Sequence, residues 1–236
     1  RSTGDAERLA GLLGSWEQLA DTLATVLELH TSPDVRVPVG LRLARTYENE
    51  VGDVGSAAET YLFVLGSDPK NIDALEALDR IYTEHGAAEA LQEILARRLA
   101  ATEDAREQVE LSFRRARVLE NDLGRIDESV AVYTQILDKL DPAADTDEHT
   151  QSIQALASIY TEKQDWPRLY ATFERELKVA LGDSARSDVF AKMARLSEGW
   201  LGDAPRAAKL WNDVLELRGE DPEALSALGD LYARGS

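Results

Sequence analysis

The stretch Leu41-Arg-Leu-Ala-Arg-Thr-Tyr-Glu-Asn-Glu-Val-Gly52 decides the fold, because it returns twice. It comes back as Phe113-Arg-Arg-Ala-Arg-Val-Leu-Glu-Asn-Asp-Leu-Gly124 and as Ala191-Lys-Met-Ala-Arg-Leu-Ser-Glu-Gly-Trp-Leu-Gly202. The closing glycines stand 72 and then 78 residues apart. The same two offsets relate Ala44, Ala116 and Ala194, and Tyr61, Tyr133 and Trp211. They also relate Trp16, Ala88 and Trp166, and Leu19, Leu91 and Leu169. The longer second interval comes from an insertion at Asp141-Pro-Ala-Ala-Asp-Thr-Asp-Glu-His149, beyond which Tyr82, Tyr160 and Tyr232 fall back into line. A unit of this length is too long for one helical hairpin and suits two, each of about 36 residues.

Inside the unit the apolar residues follow a helical period. Leu91, Leu95 and Leu99 share one face, as do Leu169, Phe173 and Leu177. Ala and Leu dominate, with Glu and Arg frequent, and prolines and glycines fall between the apolar runs. Ser56-Ala-Ala-Glu59 reads as a capping box, and Asp221-Pro222 as a cap followed by proline at the first helical position. Gly52, Gly86, Gly124, Gly182 and Gly202 mark turns. The expected helices are twelve: 5–29, with a break near Gly14, then 35–50, 55–66, 71–85, 87–101, 104–122, 126–139, 147–163, 166–181, 184–201, 204–217 and 222–233. No segment reads as a strand.

At the level of motif the sequence resembles the tetratricopeptide repeat (TPR) family. Ala44-x-x-Tyr47, Ala57-x-x-x-Tyr61 and Pro69 look like the family pattern with one extra turn residue. Ala207-x-x-x-Trp211 is similar, although Ser197 and Leu119 stand where Tyr47 would be expected. Leu75-x-x-Leu78-x-x-x-Tyr82 fits a first helix, while Leu91 replaces the usual small residue of the second. The resemblance implies an all-α, right-handed α/α superhelix of about twelve antiparallel helices. It would form a single solenoid over residues 1–236, built of about three double-hairpin units of 72–78 residues with truncated ends. It implies a scaffold or adaptor that binds a protein, and not an enzyme. Arg1 is not a natural start, so the chain reads as a piece of a longer array.

The charge narrows the partners. A formal net charge of −18 repels phosphate backbones and anionic membranes, so nucleic acid is not expected. No apolar run reaches the ~20 residues that span a bilayer, so membrane insertion is not expected either. The chain has no cysteine, which removes disulfides and thiolate metal sites. A cytoplasmic location is the working expectation. His30, His85 and His149 have no helical partner at metal-ligand spacing and read as solvated turn residues. The acidic loop from Asp141 to Glu148 lacks the glycine and the final glutamate of a calcium loop. No metal, cofactor or catalytic residue is therefore expected.

One pattern remains for binding. In a TPR-like hairpin the residue after the small position of the first helix faces the concave groove, as the resemblance implies. Arg45, Arg80, Arg117 and Arg195 hold such positions, Asn49 and Asn121 follow one turn later, and Phe113 takes another groove position. Arginine forks bind carboxylates in a bidentate manner, so the stripe would capture an acidic or carboxylate-bearing segment of a partner. The competing expectation is ordinary intrahelical pairing of Arg45, Arg117 and Arg195 with Glu48, Glu120 and Glu198, and of Arg80 with Glu84. A second reading of the whole chain is a structural spacer that self-associates end to end.

Overall fold

The computed structural model describes residues 2–139 and 147–234. Among them lie thirteen α-helices and no strand. Contacts gather the chain into two compact units, Arg1–Arg125 and Ile126–Ser236. Unit 1 holds α1 (Ser2–Leu13), α2 (Trp16–Leu29), α3 (Pro33–Thr46), α4 (Val54–Ser67), α5 (Ile72–Glu84), α6 (Ala88–Ala101) and α7 (Ala105–Arg117). Unit 2 holds α8 (Ile126–Lys139), α9 (Asp147–Glu162), α10 (Trp166–Val179), α11 (Gly182–Gly199), α12 (Ala204–Arg218) and α13 (Pro222–Arg234). Within each unit every helix packs on the next in the chain. The expected break at Gly14 divides α1 from α2 and accounts for the thirteenth helix. Residues 141–146 of the inserted acidic loop lie outside the described residues.

The small residues set the helix spacing. In unit 1, Ala44 on α3 and Ala57 on α4 are fully buried, and Tyr61 lies beside them. The approach is close enough at Gly40 that a Cβ there would sit 2.6 Å from Val64 Cγ2. Unit 2 repeats the arrangement with Ala194 on α11, Ala207 on α12 and Trp211. Tyr61 donates to Glu48 Oε2 at 2.9 Å, whereas the buried Trp211 Nε1 has no hydrogen-bond partner among the described residues.

The turns explain the extra residue of the motif. After α1, α5 and α9 the chain reverses through Gly14, Gly86 and Gln164, all at positive φ. Each reversal is closed by a backbone bond across five residues: Ser15 to Ala10, Ala87 to Tyr82 and Asp165 to Tyr160. After α3 and α7 the helix widens into π-helical turns, Tyr47–Val51 and Val118–Asp122. There, and after α11, the closing bond spans six residues: Asp53 to Tyr47, Arg125 to Leu119 and Asp203 to Ser197. The added residue is thus absorbed as a π-bulge ahead of Gly52 and Gly124.

The caps differ in part from expectation. Asp221 accepts from Ala224 N at 3.0 Å, as the Asp-Pro pattern predicts. The Ser56 capping box does not form. Asp53 caps α4, accepting from Ser56 N at 3.0 Å and Ser56 Oγ at 2.7 Å, so the helix starts earlier. The carboxylate offers two strong acceptors at the positive end of the helix, and Ser56 completes its shell. Its pKa is lowered by these bonds.

Candidate partner-binding groove

Three adjoining cavities in unit 1 run along the first helices of its hairpins. The first, about 650 Å³, is lined by Glu7 and Trp16 with Pro38, Leu41, Arg42, Arg45, Thr46, Asn49 and Glu50. The second, about 460 Å³, shares Arg45 and Asn49 with it and adds Glu48, Tyr61, Asp73, Glu76 and Arg80. The third, about 410 Å³, shares Glu76 and Arg80 with the second and ends on Asp79, Thr83, Glu84, Arg98 and Arg114. Arg45, Asn49 and Arg80 are thereby brought onto one continuous groove.

The arginines of the stripe pair across helices more than along them. Arg45 Nη2 lies 2.6 Å from Asp73 Oδ2 at the start of α5, with both side chains more than half exposed. Arg195 repeats that contact in unit 2, donating through Nε and Nη2 to the two oxygens of Glu223 at 2.6 Å. The offset of 150 residues that separates the arginines also separates Asp73 from Glu223. The hydrogen bonds from Arg195 hold the Glu223 carboxyl below its ordinary range. Arg80 donates to Glu48 on the neighbouring hairpin and lies 3.9 Å from Glu84. Glu48 therefore serves Tyr61 and Arg80, not Arg45. Burial, and then the bond to Glu48, push the Tyr61 phenol above its usual range.

The other sequence candidates lie elsewhere. Phe113 on α7 is half-buried, Asn121 is exposed in the second π-helical turn, and neither lines the three cavities. Arg117 is exposed and forms no ion pair among the described residues. His30 and His85 end α2 and α5, the latter ring bonded to Ile81 O at 2.8 Å. His149 departs from the expectation of a solvated turn residue. It falls in the first turn of α9, where the expected helix begins, and is buried there instead of standing in solvent. Among the described residues no group of three or more His, Asp or Glu side chains is placed to hold a metal ion, and no helix is long and apolar enough to cross a membrane.

Sequence reasoning missed the most developed polar cluster of the groove. Asp79 is buried on α5 and accepts from Arg114 Nη1 at 2.9 Å and Nη2 at 2.7 Å. Arg98 Nη1 donates to the same carboxylate, and its Nη2 donates to Glu107 at 3.1 Å. Burial alone would raise the Asp79 carboxyl, but the bonds and charges of Arg114 and Arg98 outweigh it and hold it low. The signal existed at the repeat offset. Glu7 and Arg42 precede Asp79 and Arg114 by 72 residues, and they too pair, at 2.6 Å. In unit 2 the aligned cation is Lys192, which turns to Glu176 at 2.7 Å because Ala157 stands where the acid would be.

Residues 152–186, from the body of α9 through α10 into α11, match the model of the tetratricopeptide repeat family. Several solved structures are similar to the chain at low identity. YrrB, a TPR protein with an unusual peptide-binding site, is 14% identical, the match covering 88% of this chain and 98% of that one with a TM-score of 0.42. PilW, a widely conserved type IV pilus biogenesis factor, is 20% identical, with 84% and 91% covered and a TM-score of 0.35. A tetratricopeptide repeat protein from Parabacteroides merdae is 15% identical, with 95% and 81% covered and a TM-score of 0.37. No curated protein sequence matches the chain. The matched repeat and the recurring antiparallel hairpins on either side of it make this chain a TPR-like helical-repeat protein.

Proposed function

We propose that the chain is a protein-interaction scaffold whose unit 1 groove holds an extended, carboxylate-bearing segment of another protein. The observation that carries this reading is the placement of Arg45, Asn49 and Arg80 along adjoining cavities, with the two arginine side chains half exposed or more and Asn49 exposed. Arg45 is 55% exposed and its partner Asp73 is 56% exposed. Such a pair contributes at most about 1 kcal/mol, so an incoming carboxylate can take over the fork at little cost. Asn49 adds an amide beside it.

Selection from a random-peptide display library tests the proposal. Enriched peptides are expected to share an acidic residue and to bind at least tenfold more weakly to Arg45→Glu/Arg80→Glu, with unchanged circular dichroism. Enrichment of peptides that bind the double variant equally would sink the groove reading, as would no enrichment at all.

A second reading, a spacer that self-associates, is favoured by α13. Leu225 is 53% exposed, whereas its counterparts Leu75 and Ile153 are 0% and 3% exposed. Sedimentation velocity over a hundredfold concentration range decides it. A mass that rises with concentration in the parent and stays monomeric in Leu225→Glu supports association through this face.

A further inference from the structure

Unit 2 carries an exposed aromatic stack. Trp200, at the end of α11, is 62% exposed. Its indole stacks on that of Trp166 at the start of α10, with centroids 4.4 Å apart and the rings inclined by 21°. Closing the joint between these helices does not require the second indole. The same joint in unit 1 aligns Trp16 with Trp166 but Glu50 with Trp200, and both Trp16 and Glu50 line the first cavity there. The middle copy has Ala88 and Asp122 at the two positions. One face of Trp200 is thus supported by Trp166 and the rest of the ring stands in water.

Four other rings of unit 2 carry one of the chain's own cations. Arg168 lies 6.0 Å from the Tyr160 centroid and Arg206 5.0 Å from that of Tyr170. Lys192 lies 5.7 Å from Phe173 and Arg195 5.8 Å from Trp211. Trp200 carries no such cation among the described residues, although indole is the strongest of these acceptors. The acids near it in sequence are each shared with an exposed arginine: Glu198 with Arg234 at 3.6 Å, Asp203 with Arg206 at 3.2 Å, and Asp165, which caps α10 beside Trp166, with Arg168 at 3.3 Å. In unit 1 an acid, Glu50, occupies the position itself. The ring quadrupole favours a cation, and so does the surplus of acids in a protein whose net charge is −18.

We propose that the open face of Trp200 receives an arginine or lysine side chain from a basic segment of a partner protein. The site is built by unit 2 alone and does not depend on the unit 1 groove.

The test follows the indole N–H resonances of the ¹⁵N-labelled chain, assigned by single Trp→Phe substitutions, during titration with an acetylated, amidated hexa-arginine peptide. Hexa-glutamate and an uncharged Gly-Ser hexamer serve as controls. The Trp200 and Trp166 signals are expected to shift with hexa-arginine alone, while that of buried Trp211 stays in place. Trp200→Leu is expected to weaken binding about fivefold, and Trp200→Phe, which keeps a ring, to weaken it less. Equal affinity in parent and Trp200→Leu would overturn the site as diffuse attraction to an acidic surface. Equal losses in Phe and Leu variants would reduce Trp200 to packing. Association of the free chain that Trp200→Leu abolishes would assign the face to a second copy instead.

Discussion

Asp79 is a charge that the fold can bury only because two guanidinium groups meet it. Replacing it with Asn removes the anion and leaves Arg98 and Arg114 facing a neutral amide. The expected loss is about 3 kcal/mol, read as a lower urea midpoint at pH 7. The pH dependence has a definite sign. The folded carboxyl titrates below its unfolded value of about 4, so its contribution is complete above that value and fades as the pH falls through the folded one. Between pH 4 and pH 2 the parent should lose stability more steeply than Asp79→Asn; parallel curves would show that the pair contributes nothing. Gln164 offers the opposite case, a residue that is costly where it stands. Its φ of 53° repeats the turn made by Gly14 and Gly86, and left-handed backbone costs a side-chain-bearing residue about 1 kcal/mol. Gln164→Gly is expected to add about 1 kcal/mol of stability, read as a higher urea midpoint. The offset of 78 residues aligns this position with Gly86, but a glutamine gives no sign of a left-handed backbone. Asp79 was harder still to read, because a sequence shows a charge on a helix and not the two helices that converge on it.

The helices themselves were legible because their pattern is local. Between residues 35 and 233 the expected and observed ends agree within two residues once the π-helical turns are counted with the helices they extend. Interhelical distances were not legible, and Gly40 is the sharpest instance. In the middle of α3 an alanine should be better than glycine by about 1 kcal/mol. Here its methyl would enter Val64, a β-branched side chain with little freedom to move. Overpacking of this kind costs about 1–3 kcal/mol, so Gly40→Ala is expected to destabilise on balance. In a Val64→Ala background the obstruction is gone and the same substitution should stabilise. A double-mutant cycle that shows no change of sign would mean that α3 and α4 can move apart freely. The pairing of the groove arginines failed to be read for a related reason. Spacing along one helix nominated Glu48 for Arg45, but the fork reaches Asp73 on α5, and Glu48 is claimed by Tyr61 and Arg80.

Across the molecule the alternation of two kinds of turn carries a consequence for length. Hairpins closed over five residues alternate with hairpins closed over six, so the interchangeable segment is two hairpins long. A second copy of residues 15–86 inserted after Gly86 would meet its neighbours through Gly86–Ser15 and Gly86–Ala87. The first reproduces the Gly14–Ser15 turn and the second is already present, both glycines having φ near +60°. A copy of residues 51–86 inserted at the same place would join Gly86 to Val51, the end of a π-helical turn with no helix before it. The longer insert is expected to add helical circular dichroism in proportion to its length and to leave the melting temperature unchanged or higher, as stacked repeats do. The shorter one is expected to lower it. The chain should therefore grow by pairs of hairpins and resist growth by one, so that tolerance to insertion rises when the inserted length doubles.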